Sequence, residues 1–120
     1  MRTHIQVVIV AMILLTGCVA ERTQPRRSEL LGNWKTGIVQ TEWGSSVLEV
    51  AFTDAGDIEF NLTPAAGGQS VISKGKYHLD GKNLIAEVFN KGEPVSIWLE
   101  GNRLVIQIPS EPAQHFIRQR

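Results

Sequence analysis

A chain of 120 residues holds one domain, and its twelve basic and twelve acidic side chains cancel. That balance excludes a strongly basic nucleic-acid binder and provides no field to attract an acidic substrate. Cys18 is the only cysteine, so an internal disulfide is excluded and any exported domain must hold itself by packing.

Met1-Arg2-Thr3-His4 is a short, weakly basic start, and Ile5 to Leu15 is apolar apart from Gln6. This is the charged n-region and short h-region of an export signal, expected to run as a helix. From Ile5 to Ala20 there are 16 residues, short of the roughly 20 needed to span a bilayer. The run closes on Leu15-Thr16-Gly17-Cys18, which resembles the lipobox of bacterial lipoproteins. The resemblance implies cleavage between Gly17 and Cys18. Residues 1–17 would leave as the signal peptide, a diacylglycerol would join the Cys18 thiol, and an acyl chain such as palmitate would cap its new amino group. Two or three chains anchor a protein firmly, at about 0.8 kcal/mol per buried methylene. Val19 follows, where an aspartate would resemble the inner-membrane retention signal of Gram-negative cells. The resemblance therefore implies the outer membrane, on its periplasmic face. Without Arg2 the mature chain carries eleven basic and twelve acidic side chains.

Residues 18–29 read as the lipidated cysteine and a flexible tether, polar and containing Pro25. Arg22, Arg26 and Arg27 on it suit anionic head groups. Ten such residues reach at most about 35 Å.

From Leu30 onward the pattern alternates with period two between turn residues, which predicts an all-β domain over 30–120. Strands are expected at 33–41, 47–52, 57–62, 71–79, 84–89, 95–100, 103–108 and 114–118. Asp57 to Leu62 shows the alternation plainly: Ile58, Phe60 and Leu62 face one way, Asp57, Glu59 and Asn61 the other. Asp80-Gly81 is a strong hairpin turn. Residues 63–70 form a longer loop, and Pro109 and Pro112 interrupt the chain before the last strand. Eight antiparallel strands joined mostly by short turns predict a meander that closes into a barrel and removes both edges.

Leu31-Gly32-Asn33-Trp34-Lys35, Gly75-Lys76-Tyr77 with Asp80 to Leu84, and Phe116-Ile117-Arg118 together resemble lipocalin-like domains. The likeness spans residues 30–120, through short motifs. It implies that Gly32 and Trp34 open the first strand at the closed end, with Arg118 lying across Trp34. The domain is closer to the compact lipocalin-like domains of bacterial lipoproteins than to full lipocalins, which are longer. Trp34, Phe52, Phe60, Tyr77 and Phe116 are candidates to fill the interior.

Chemistry is sparse. His78 and His115 have no cysteine or carboxylate at ligand spacing, and His78 alternates with Lys74 and Lys76 toward water. Asp54, Asp57 and Glu59 surround a turn without the spacing of a calcium loop, and Ser45 and Ser46 lack a nucleophile elbow. The reading is a non-catalytic protein with no metal and no cofactor. Two binding modes follow: a small apolar ligand in the barrel, or an envelope protein on the outer face of the C-terminal strands, as an accessory or inhibitor. For the second, Ile85, Phe89, Trp98 and Val105 form a candidate apolar patch, opposite a core face of Leu84, Ala86, Val88, Val95, Ile97, Leu99, Leu104, Ile106 and Ile108.

Overall fold

The computed structural model describes residues 22–120; the signal segment, Gly17 and Cys18 lie outside the described residues. Strand β1 (Arg22–Thr23) and helix α1 (Arg27–Leu30) come first. The meander follows as β2 (Gly32–Thr41), β3 (Gly44–Phe52), β4 (Asp57–Pro64), β5 (Val71–Asp80), β6 (Asn83–Ala86), β7 (Val95–Glu100), β8 (Arg103–Gln107) and β9 (Gln114–Arg118). Each of β2 to β9 pairs antiparallel with its sequence neighbour. Strand β9 returns to β2 through Trp34 opposite Arg118 and Lys35 opposite Ile117, which closes an eight-stranded barrel. The expected fold class is therefore observed, with β1 as a ninth strand against β7.

Alternation places the core. Leu48, Val50 and Phe52 on β3, Ile58 and Leu62 on β4, and Leu104 and Ile106 on β8 are buried inside the barrel. Lys74, Lys76 and His78 on β5 point to solvent. A register shift in β2 between Lys35 and Ile38 leaves a gap in the ladder at Thr36. The buried Thr36 side chain closes that gap, because its Oγ1 accepts the Leu48 N–H at 3.0 Å.

Three sequence expectations change. The tether over 18–29 is not free from Arg22 on: Arg22 pairs with Glu100, Thr23 with Leu99, and Leu30 has 0% exposure. The tether backbone pairs with the last two residues of β7, beyond the two that β6 reaches. Strand β6 ends at Ala86 rather than Phe89, because the Phe89 N–H donates back to the Ala86 carbonyl at 3.1 Å. In the β5–β6 hairpin Asp80 still pairs with Asn83, so the two turn residues are Gly81 and Lys82, with φ +61° at Gly81.

Because the strands alternate in direction, the connections fall at two ends. The turns after β3, β5 and β7, the start of β2 and the end of β9 share one end with α1. The connections after β2, β4, β6 and β8 share the other.

Candidate functional site

The end carrying α1 is plugged. Leu30 fills it, and three successive carbonyls at the end of the helix each find a side-chain donor. The Trp34 indole Nε1–H donates to the Leu30 carbonyl at 2.9 Å. The Arg118 guanidinium donates to the carbonyls of Leu31, at 2.6 Å, and Glu29. The same guanidinium lies 4.1 Å over the Trp34 ring, an attraction of roughly 0.5–2 kcal/mol. Gly32 makes room for it: φ is +116°, and a Cβ there would sit 3.2 Å from Arg118 Nη1. Gly32, Trp34 and Arg118 thus act as one lock on the barrel floor. Phe52 and Tyr77 pack edge to face just inside, 5.0 Å between centroids, and the Tyr77 hydroxyl donates to the Thr53 carbonyl at 3.0 Å.

The opposite end is open. A cavity of about 760 Å³ descends from the mouth between Leu48, Leu62, Ile106 and Phe116, with Phe60 and Phe89 on one wall. Phe89 stands edge to face against Phe60, 5.2 Å apart. Gln40, Thr41, Ser73, Asn90 and Gln114 supply polar atoms around the walls and rim. Trp43, 69% exposed at the tip of the β2–β3 hairpin, and Val71 stand at the mouth. Ligand sites of about 300–1,000 Å³ with apolar walls and a few polar groups are the usual form of a small-molecule site. The aromatic residues therefore divide: Trp34, Phe52, Tyr77 and Phe116 are buried in the floor and core, while Phe60 is only half-buried and lines the cup.

The wall of the cup has one short backbone ladder. Strand β6 pairs with only Tyr77 to Asp80 of β5, and beyond that ladder Glu87 meets Gly75 and Lys76. Glu87 spans the junction, its carboxylate accepting the Lys76 N–H at 3.0 Å. No residue pattern signals this short ladder, because it follows from β6 stopping after four residues.

The apolar patch expected on the outer face is absent as a free surface. Phe89 points inward, since the turn at Ala86 breaks the strand parity. Trp98 is 7% and Val105 0% exposed, and they pair across the β7–β8 ladder apart from the interior cluster. Beside them β1 pairs with β7, and the Arg22 guanidinium lies 4.4 Å over the Trp98 ring. Ile85 alone remains half-buried. The Trp98 indole N–H donates to Glu100 at 2.7 Å, and Arg22 reaches the same oxygen at 3.5 Å. The indole hydrogen bond first, then the charges of His115, Arg22 and Arg103, hold the Glu100 carboxyl below its ordinary 4.5.

The remaining candidates are spoken for. Asp57 pairs with Lys76, and Glu59 with Lys74 at 3.7 Å. Ser46 is fully buried, with its hydroxyl donating to the Gly44 carbonyl at 3.2 Å. His78 and His115 are exposed on different strands.

Fold and site together define a small antiparallel barrel with one locked end and one open, apolar cup. A crystal structure of the lipoprotein YedD from Klebsiella pneumoniae subsp. pneumoniae MGH 78578 is similar, with a TM-score of 0.57 at 14% identity, covering 84% of this chain and 80% of that one. At that identity the likeness is one of fold. No protein-family model and no curated protein matches the chain.

Proposed function

We propose that this chain is a non-catalytic bacterial envelope lipoprotein, anchored through Cys18, whose barrel mouth binds one small apolar molecule. The cup of about 760 Å³ carries the proposal, because a barrel serving only as a scaffold gains from filling that space. Its walls suit an aliphatic chain or flat apolar ring, and the rim amides and hydroxyls suit a polar head. The anchor reading draws support from Leu15-Thr16-Gly17-Cys18 and from a similar fold in a protein described as a lipoprotein. Val19 favours the outer membrane, on the periplasmic side.

Native mass spectrometry of the full chain extracted from its own membranes tests both parts. The expected result is a covalent lipid mass on Cys18, absent in Cys18→Ser, together with a second mass that leaves on denaturation. A Leu62→Trp variant, which fills the cup, should lose the second mass and keep the first. A wild-type protein that retains no small molecule and binds no fatty-acid or apolar dye probe overturns the carrier reading.

A further inference from the structure

All six arginines among the described residues lie at the locked end: Arg22, Arg26, Arg27, Arg103, Arg118 and Arg120. Arg26 and Arg27 flank the start of α1, Arg103 follows the β7–β8 turn, and Gln119 hydrogen-bonds to Asn33 just before Arg120. Lys82 in the β5–β6 turn makes seven basic side chains there, against Glu29, Asp54, Asp57, Asp80 and Glu100, with Asp57 paired to Lys76 of β5. Glu100 is paired with Arg22, and the Glu29 carboxylate keeps its charge while accepting the Arg26 N–H. The mouth has the opposite sign, with Glu42, Glu93 and Glu111 against Lys91. Three of the arginines have internal work: Arg118 on Trp34, Arg22 on Trp98, and Arg27 on the Asp54 carbonyl. Arg26, Arg103 and Arg120 form no salt bridge among the described residues and are exposed.

The chain direction agrees with the charge. Strand β7 runs from the mouth to the locked end, and β1 is antiparallel to it, with Arg22 opposite Glu100. The chain therefore enters β1 from the locked end. Cys18 precedes Arg22 by four residues, a reach of at most about 14 Å.

We propose that the arginine-bearing locked end is a docking surface for an anionic lipid bilayer, so that the barrel stands on the membrane with its cup facing away. The occupant is fixed by charge complementarity and by the entry point of the anchored segment. A planar guanidinium suits phosphate head groups, and a flat array of them suits a surface. The distance bound rests on the lipid-anchor reading, while the charge separation stands without it. In this posture the cup exchanges its ligand with the aqueous phase or a soluble donor.

The test uses the full mature chain carrying Cys18→Ser, so that no covalent lipid contributes. It is expected to bind vesicles containing phosphatidylglycerol and to ignore vesicles of phosphatidylcholine, with binding falling as salt rises. Each neutralised arginine should weaken binding about fivefold, equivalent to about 1 kcal/mol per basic side chain near an anionic surface. The triple variant Arg26→Gln, Arg103→Gln, Arg120→Gln should lose roughly a hundredfold, and Glu42→Gln, Glu93→Gln, Glu111→Gln should lose nothing. An environment-sensitive fluorophore on Asn102→Cys, at the locked end, should respond to anionic vesicles, and one on Gln69→Cys, in the β4–β5 loop at the mouth, should not. Equal binding to both vesicle types, a triple arginine variant that binds like its parent, or a response at Gln69→Cys in place of Asn102→Cys overturns the proposal. None of these readouts depends on whether the cup holds a ligand, so this proposal and the carrier reading fail separately.

Discussion

Replacing Arg118 by methionine keeps most of the apolar stem and removes the guanidinium from the floor of the barrel. Three interactions leave together: the stack on Trp34 at 4.1 Å and the donations to the carbonyls of Leu31 and Glu29. A stack at an exposed edge contributes about 0.5–1 kcal/mol. Each hydrogen bond to a carbonyl that water can reach in its place contributes about 0.5–1.5 kcal/mol. The group acts as a unit, so a loss of roughly 2–3 kcal/mol is expected rather than the arithmetic maximum. For a domain of this size that lowers Tm by about 8–24 °C. Urea unfolding followed by tryptophan fluorescence measures it, and the double cycle with Trp34→Phe isolates the coupling. The indole is the better partner for the cation and also donates to Leu30, so a coupling of about 0.5–1 kcal/mol should appear. A loss under about 0.5 kcal/mol for Arg118→Met, or strict additivity with Trp34→Phe, refutes the lock. Arg118→Lys should fall between the two, since an ammonium cannot stack as a plane and serve two carbonyls in one geometry.

Gly32→Ala should cost about 1–3 kcal/mol through its φ of +116° and its crowding of Arg118, read as a lower urea midpoint with an unchanged slope. Thr36→Val leaves the buried Leu48 N–H without its acceptor and should cost about 1–3 kcal/mol; hydrogen exchange at Leu48 should rise with it. Glu100 responds to acid. Its carboxyl is held below 4.5, so its stabilising contribution is present above that pH and is lost as pH falls through the folded-state value. The stability gap between wild type and Glu100→Gln should therefore be open at neutral pH and close in acid, as checked by denaturant titrations at several pH values. A gap that widens on acidification reverses the assigned sign.

The alternation in 57–62, the short apolar runs and the turn residues between strands were sufficient to mark the eight barrel strands and their antiparallel order. Local chemistry explains this, because side-chain period and turn dihedrals are properties of neighbouring residues. Gly32, Trp34 and Arg118 were also legible as a group, through their resemblance to lipocalin-like domains. The fate of the β7 and β8 outer face was not. Trp98 and Val105 carry no mark of their burial, and Arg22-Thr23 carries no mark of being a strand, since its partners lie 78 and 76 residues away.

Sequence alone thus determined the strand pattern, the freedom from disulfides and the lipobox-like motif at Cys18, all set by residue identity within a few positions. Tertiary structure decided the rest. Closure brought Arg118 onto Trp34 across 84 residues, the turn at Ala86 swung Phe89 into the cup, and strand direction gathered six scattered arginines at one end. Each outcome depends on which distant segments the sheet places side by side, a quantity that no local stretch of the chain contains.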